Sequence, residues 1–451
     1  MGDPREMNGL LALTGGVLPP LTDNPVAQIG SDAFGFRPYI SAVHETVAAA
    51  TTLPLTVGVF GPWGSGKSSF MRMWEDLLTP TTRTLWFNPW KYDQKIQVWA
   101  ALIQSLLAEM RTSSNAGLKE KAKRLARTAT WLGLRAGLGT ASQVLTHGVI
   151  DKSTIGEILD SVADDGSSYY RDLNRFELDF ADAVGEFVGS TGRLVVFIDD
   201  LDRCTPQAAL SVLEALKLFV GDARCVFVLA MDFDLLSAIA EMKFGENLQI
   251  AGSAYLEKIV QLPFFLPDID FDAIRAALVP YAGELSENEA FWELVDLGFG
   301  ANPRRVKRYM NVLNLGIAIA RSEHPDGPDL GITRQLQLAK LLIIRSEHRD
   351  LFNHLLRHPG ALSELENSPA LPSPSSNDGV EVARERNAVL AAFLKQESLA
   401  RLLNARPGAY HDHPSAPSAD ELARMLRTVR LTSGPTAAAG GGPQAVTTEL
   451  E

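Results

Sequence analysis

The stretch GVFGPWGSGKSSFMRMW, residues 58–74, runs from apolar residues through a glycine-rich turn into a helical pattern. It contains G-x-x-x-x-G-K-[ST] in full, made by Gly61, Pro62, Trp63, Gly64, Ser65, Gly66, Lys67 and Ser68. Glycines at these places let successive backbone N–H groups turn toward a polyphosphate, and the N-terminus of the following helix adds positive potential. We therefore predict a phosphate cradle, the Walker A motif, formed by these residues and Ser69. Lys67 is predicted to meet the β and γ phosphates and Ser68 to ligate Mg²⁺.

The sequence around the cradle predicts a sheet. LTVGVF at residues 55–60 precedes the turn, and apolar residues at helical spacing follow it. Four further apolar runs lie at 84–88, 194–199, 225–232 and 258–267, with helical patterns among them. Runs of this kind are typical of strands buried on both faces, so we predict an α/β fold with a mainly parallel five-stranded sheet.

Two adjacent aspartates end the third run, LVVFIDDLDRC. The strand places Asp199 at the carboxyl edge of the sheet, where a Walker B aspartate holds Mg²⁺. Asp200 is then predicted to polarise the attacking water, because a general base must lie within hydrogen-bond reach of its proton. The alternative is that Asp200 or Asp202 only caps the next helix. Asp232 ends the next run, where it could either sense the γ-phosphate or begin a turn.

The sequence offers no reader for guanine, because it has no N-K-x-D motif. ATP with Mg²⁺ is therefore the predicted ligand. The chain is acidic, with a formal net charge of −12, so nucleic acid is a disfavoured partner although the composition does not exclude it.

Composition and cysteine usage favour a cytoplasmic protein. The chain is 46% hydrophobic and 21% charged, as in soluble globular proteins, and Cys204 and Cys225 lack metal-binding spacing. Residues 129–150 are weakly apolar and interrupted by Arg135, which argues against a membrane span. The basic stretch LKEKAKRLAR at 118–127 is either a solvated helix face or a peripheral contact with an anionic membrane.

Shifts in composition and periodicity predict the division of the chain. We expect a flexible leader at 1–22, an NTPase core at 23–267 with a helical insert at about 110–188, a helical lid domain at 268–358, a linker with short helices at 359–431, and a disordered tail at 432–451.

Five segments, in chain order, carry a resemblance to a known family: GPWGSGKSS, LWFNPWKYD, FIDDLDRC, YLEKIVQLPF and NPRRVKRYMN. Together they resemble the KAP family of P-loop NTPases over roughly residues 23–357. The resemblance implies an additional strand between the two Walker strands, and a helical lid. It also implies that Lys67 and Ser68 bind nucleotide and Mg²⁺, that Asp199 holds Mg²⁺ and that Asp200 is the catalytic acid.

The same resemblance extends to three arginines of NPRRVKR. Arg304, Arg305 and Arg308 resemble the cluster with which a lid senses nucleotide, and a cation near the γ-phosphate stabilises developing charge. A basic surface face is the other interpretation. Asn88 and Trp90 of FNPW occupy a family motif whose role the sequence does not reveal.

The resulting functional hypothesis is an ATP-hydrolysing conformational switch. The resemblance implies bacterial signalling or phage defence, with an unidentified protein partner and a homo-oligomer as candidate assemblies. A nucleotide-dependent scaffold with little turnover, a small-molecule kinase and a DNA motor are the alternatives. Many members of the family carry transmembrane helices in the insert, whereas this insert favours a soluble or peripheral form.

Overall fold

The computed structural model describes residues 18–78, 82–92, 98–112, 115–135, 168–218, 223–248, 252–323, 330–366, 393, 395–404 and 419–433. The expected tail from residue 434, most of the leader and most of the candidate membrane segment lie outside these residues. The chain divides into an α/β unit, Asn24–Asp268, and a helical unit that contains residues 18–23 and the described residues from Ile269 onward.

The α/β unit is built on one sheet of five parallel strands in the order β2-β3-β4-β1-β5. The strands are β1 (Leu55–Phe60), β2 (Arg83–Phe87), β3 (Leu194–Ile198), β4 (Cys225–Met231) and β5 (Leu262–Phe265). Since β4 lies between β1 and β3, the sheet has the additional strand between the two Walker strands. The predicted fold class is therefore confirmed.

The strand sequences explain why the sheet is buried. Every residue of β3 and β4 is buried, which fits the continuous apolar runs that parallel strands show when helices cover both faces. The flanking helices are α1 (Arg37–Ala48), α2 (Lys67–Leu77), α3 (Val98–Thr112), α4 (Ala116–Arg135), α5 (Ser168–Val188), α6 (Pro206–Leu218), α7 (Phe233–Leu248) and α8 (Gly252–Glu257). Parallel pairing brings the carboxyl ends of all five strands to one edge of the sheet. The cradle follows β1 at this edge, and Asp199 and Asp200 follow β3.

Helices α4 and α5, with the end of α3, form the described part of the predicted insert, and α4 packs against both α3 and α5. The apolar stripe of α5, Phe176, Phe180, Val184 and Phe187, is buried. Basic residues of α4 pair with acids of α5: Lys121 lies 2.6 Å from Asp182 and 2.7 Å from Glu186, and Arg124 lies 3.5 Å from Asp179. Part of the basic stretch thus serves helix packing. In the described part of the insert and elsewhere in the described chain, no helix has the length and apolar character to span a membrane.

The helical unit is arranged around one buried helix. Its helices are α9 (Phe271–Leu278), α10 (Glu289–Phe299), α11 (Pro303–Ser322), α12 (Ile332–Glu347), α13 (Arg349–Arg357), α14 (Ala361–Glu366), α15 (Glu397–Asn404) and α16 (Ala419–Ser433). Residues Gln335–Arg345 of α12 are all buried, because α10, α11, α13 and α16 pack around it. The late helix α16, which the sequence placed beyond the lid, belongs to this packed unit.

Candidate active site

The cradle joins β1 to α2 through residues 61–66. Gly66 adopts φ +99°, and a Cβ there would lie 2.9 Å from Phe36 Cε2, so both backbone conformation and space require glycine. A Cβ on Gly61 would lie 2.7 Å from Ser65 Oγ. Ser65 Oγ is itself buried and has no hydrogen-bond partner within the described residues. A turn closed to side chains and holding an unpaired buried hydroxyl fits the phosphate group that the sequence predicted.

Lys67 begins α2 and is buried. Its ammonium donates to the carbonyl oxygens of Gly61 at 2.8 Å and Pro62 at 3.1 Å. It also lies 3.4 Å from Asp202 Oδ2, whose side chain is equally buried. A buried charge needs such partners. Asp202 therefore pairs with the cradle lysine, a role that the sequence analysis did not assign to it.

Ser68 and Asp199 meet at the carboxyl edge of the sheet. The ladder between β2 and β3 continues one residue past the end of β3, with Asp199 N donating to Phe87 O, the last residue of β2, at 3.1 Å. Burial raises the pKa of Asp199, a hydrogen bond from Ser68 lowers it in part, and the charges of Asp200 and Asp202 raise it further, leaving it above the ordinary value. A hydroxyl beside a carboxylate is a suitable oxygen donor set for Mg²⁺, so these residues fit the ion that the motif implies.

Asp200 stands in an unusual backbone conformation, φ 59° and ψ 29°, and is the one non-glycine residue of positive φ in the described chain. Its Oδ2 accepts from Asn88 Nδ2 at 2.6 Å, and its Oδ1 lies 2.8 Å from Arg203 Nε. Although Asp200 precedes the short 3₁₀ turn Leu201–Arg203, its side chain makes no capping hydrogen bond there. Asp200 therefore does not cap this turn, and its catalytic role stays a prediction.

Two predicted residues have other contacts within the α/β unit, and a third is exposed. Asp232 Oδ1 accepts from Asp234 N at 3.1 Å and Leu235 N at 3.2 Å, so it caps α7, and its sensor role stays a prediction. Ser69 Oγ accepts from Val26 N at 3.1 Å. Trp63, at the tip of the cradle, is 57% exposed.

The predicted lid arginines lie at the start of α11 in the helical unit. Arg304 Nε lies 3.1 Å from Asp23 Oδ2, and Arg308 Nη2 lies 2.7 Å from the same oxygen. Burial raises the pKa of Asp23, but hydrogen bonds and charges from the two arginines outweigh it, so the net pKa is lowered. Arg305 pairs with Glu347 at 2.5 Å. Their predicted role toward nucleotide remains a prediction.

The structure therefore brings Lys67, Ser68, Asp199 and Asp200 to one edge of one sheet. It adds Asn88, Asp202 and Arg203, whose contacts with these residues the sequence analysis missed. The position of Asn88 directly after β2 was a usable signal, because the carboxyl ends of neighbouring parallel strands meet.

Comparison with known proteins gives the family of the α/β unit and of the beginning of the helical unit. Residues 36–319 match the family model described as the KAP family P-loop domain. The chain is 26% identical over 265 residues to the phage T7 exclusion protein of Escherichia coli strain K12. That alignment covers 54% of this chain and 34% of the relative, so the chain spans about a third of the relative's length.

Two solved structures show weak likeness to the chain. The Walker-type ATPase of Pyrococcus abyssi is 13% identical, with 90% of this chain and 99% of that chain covered and a TM-score of 0.34. The Aeropyrum pernix ORC1 protein in complex with DNA is 11% identical, with 88% and 84% covered and a TM-score of 0.32.

Proposed function

The chain belongs to the KAP family of P-loop NTPases, and from this premise we propose that it binds ATP with Mg²⁺ and hydrolyses it. The observation that carries the proposal is that the glycine cradle and the pair Asp199 and Asp200 follow strands of one parallel sheet at its carboxyl edge, where Lys67 of the cradle lies 3.4 Å from Asp202. A binding scaffold would need the cradle but not two aspartates at the sheet edge.

Each residue has a distinct part in the proposed reaction. The cradle N–H groups and Lys67 bind the β and γ phosphates, and Lys67 exchanges its bonds to the Gly61 and Pro62 carbonyls for phosphate oxygens. Ser68 and Asp199 hold Mg²⁺, which neutralises phosphate charge when bound. Asp200 accepts a proton from the water that attacks the γ-phosphorus, while the bond from that phosphorus to the β–γ bridging oxygen breaks and ADP and inorganic phosphate are the products.

The helical unit is proposed to act as the lid of a conformational switch. Arg304 and Arg305 would supply positive charge to the γ-phosphate, as their resemblance to a sensing cluster implies. Asp232 would report the same phosphate from the end of β4. Hydrolysis would then release the lid and change the surface offered to a protein partner, which is the proposed signalling step. A cytoplasmic site of action, homo-oligomer formation and peripheral membrane contact belong to the same proposal.

The biological process proposed for this switch is exclusion of phage in a bacterium. Its support is the similarity to the phage T7 exclusion protein, limited to the aligned third of that protein. The proposal requires that nucleotide turnover by this chain drives exclusion.

The test is steady-state ATP hydrolysis by wild type, Lys67→Ala and Asp200→Asn, with nucleotide affinity measured on the same samples. We expect Lys67→Ala to lose binding, and Asp200→Asn to keep binding within about threefold while turnover falls about 100-fold or more. Phage plating on cells that express the three proteins is expected to follow turnover. Binding without hydrolysis in all samples would instead identify a scaffold.

A further inference from the structure

We propose that Asn88 and Arg203 are positioning residues that clamp the Asp200 carboxylate from both sides, and that Trp90 supports Arg203. The inference rests on the proposed function, because it assigns to Asp200 the role of general base. It gives the FNPW segment, residues 87–90, a physical role that its sequence alone did not reveal.

Strand register brings Asn88 to Asp200. Phe87 pairs with Ile198, and the bond from Asp199 N to Phe87 O extends that ladder, so Asn88 lies beside the step from Asp199 to Asp200. Its Nδ2 donates to Asp200 Oδ2 at 2.6 Å, while its own Oδ1 is buried without a hydrogen-bond partner among the described residues. Rotating the amide by half a turn would set oxygen against carboxylate oxygen, so this bond fixes the orientation of Asn88.

Arg203 reaches the other carboxylate oxygen from the 3₁₀ turn. Its Nε lies 2.8 Å from Asp200 Oδ1, and its guanidinium carbon lies 5.8 Å from the centre of the Trp90 ring. That spacing allows a cation–π interaction, although Trp90 is 53% exposed. Asn88 and Trp90 of FNPW thus act on the same carboxylate, Asn88 directly and Trp90 through Arg203.

The backbone of Asp200 shows that its place is enforced. A left-handed conformation is unfavourable for most residues with a Cβ; aspartate adopts it more readily than most, where surrounding contacts hold it. The contacts are present: the Asp200 N–H donates to Asp199 Oδ1 at 2.9 Å, and its carbonyl accepts from Arg203 N at 3.2 Å. With the two side-chain bonds, both the backbone and the carboxylate of Asp200 are held.

The clamp leaves room for proton transfer. Each carboxylate oxygen has two lone pairs, and each takes one hydrogen bond from the clamp. One acceptor position therefore remains on each oxygen for a water molecule. Because small misplacements of a reacting group cost up to about 100-fold in rate, fixing the carboxylate direction is a catalytic advantage.

The experiment measures kcat and KM for ATP, nucleotide affinity and thermal stability in Asn88→Ala and Arg203→Ala. We expect kcat to fall about 10- to 100-fold, with KM and affinity within about threefold of wild type. Lys91→Ala is the matched control, since Lys91 is exposed in the same short turn as Trp90 and is expected to keep wild-type kcat.

Further variants separate positioning from folding. Asn88→Asp keeps the shape of the side chain but sets a second carboxylate against Asp200, so it is expected to lose at least as much kcat as Asn88→Ala while remaining folded. Trp90→Ala is expected to lower kcat less than Arg203→Ala, because it removes only the support. If Asn88→Ala unfolds, the kcat values of Asn88→Asp and Arg203→Ala decide whether the clamp positions Asp200.

The possible failures are distinguishable. Wild-type turnover that Asp200→Asn abolishes, but that Asn88→Ala and Arg203→Ala leave unchanged, would overturn the clamp and keep the proposed function. Equal losses of kcat and affinity in the clamp variants would also overturn it in favour of a structural role. If wild type and Asp200→Asn both bind ATP and neither hydrolyses it, the proposed function and the clamp are both wrong.

Discussion

Asp199 is a carboxylate that folding places in an unfavourable environment. Burial raises its pKa, the hydrogen bond from Ser68 offsets part of that rise, and the neighbouring charges of Asp200 and Asp202 add to it. A folded-state pKa above the unfolded value means that ionisation costs the folded protein more. The penalty is absent below the unfolded pKa, about 3.9, grows as pH rises from there through the folded pKa, and is complete above the folded pKa.

Asp199→Asn should therefore stabilise the α/β unit at neutral pH when neither nucleotide nor Mg²⁺ is present. An amide oxygen can still accept from the Asp200 N–H, as Oδ1 of the carboxylate does, whereas the buried charge is gone, so we expect a gain of about 1 kcal/mol. Thermal unfolding at pH 7.5 should show a midpoint a few degrees higher than that of wild type, and the difference should shrink at pH 4.5.

The exposed Asp234 supplies the control for this comparison. Asp234→Asn should not reproduce the gain, because its carboxylate is hydrated. A lower midpoint for Asp199→Asn at pH 7.5 would mean that the carboxylate contributes net stability, contrary to the direction of its pKa.

Among the elements, the strands were the most predictable from sequence. LTVGVF gave β1 with the observed bounds, since a buried parallel strand is a continuous apolar run between breaks. The fifth run was too long at 258–267, because Leu262–Phe265 alone pair with β1. The residue at which a strand ends depends on its register with the neighbouring strand. The composition of one segment does not reveal that register.

The contacts that position side chains were harder to predict. Asn88 and Asp200 are far apart in sequence and meet only because β2 and β3 are neighbours in register. Asp23 meets Arg304 and Arg308 through folding of the N-terminal segment, residues 18–23, onto the helical unit. Local periodicity shows which residues are apolar, but it does not show which distant group each polar side chain will contact.

The N-terminal segment offers a test of element docking within the helical unit. Asn311 of α11 binds both backbone groups of Leu21: Leu21 N–H donates to Oδ1 at 2.7 Å, and Nδ2 donates to Leu21 O at 2.7 Å. Losing two such bonds removes about 1–3 kcal/mol of local stability. Asn311→Ala should therefore raise amide hydrogen exchange at residues 18–23 about 10-fold.

Asn314→Ala is the matched control for that measurement. Asn314 lies one turn further along α11 and donates to Tyr281 O at 3.1 Å instead. Its removal should leave exchange at residues 18–23 unchanged. Similar acceleration in both variants would show that the substitutions act by loosening α11 rather than by releasing the segment.

For the chain as a unit of function, the decisive question is whether the two parts cooperate. The cradle and both Walker aspartates lie in Asn24–Asp268, whereas Arg304 and Arg305 begin α11 of the helical unit. The matched family domain ends at residue 319, so it includes most of α11. The sequence could place the arginines in a helix, because Asn302 and Pro303 are strong start signals, but it could not identify Asp23 as their partner.

Cooperation predicts that the arginines matter for turnover even though their side chains already have acidic partners. Arg304→Ala and Arg305→Ala should each lower kcat for ATP about 10-fold or more, because a cation supplied to the γ-phosphate stabilises charge that develops during transfer. Steady-state hydrolysis measures this directly. Arg321→Ala, which breaks a comparable ion pair with Glu284 at the other end of α11, should stay within about twofold of wild type.

Losing Arg304 would remove both a cation that could act on nucleotide and the ion pair with Asp23. Asp23→Asn separates these two effects. It removes the ion pair at Asp23 but leaves the guanidinium groups of Arg304 and Arg308 in place. If the arginines act on nucleotide, Asp23→Asn keeps turnover while Arg304→Ala loses it. If both variants lose turnover equally, the ion pair itself is what the enzyme needs, and Arg304 acts by holding residues 18–23 rather than by contacting phosphate.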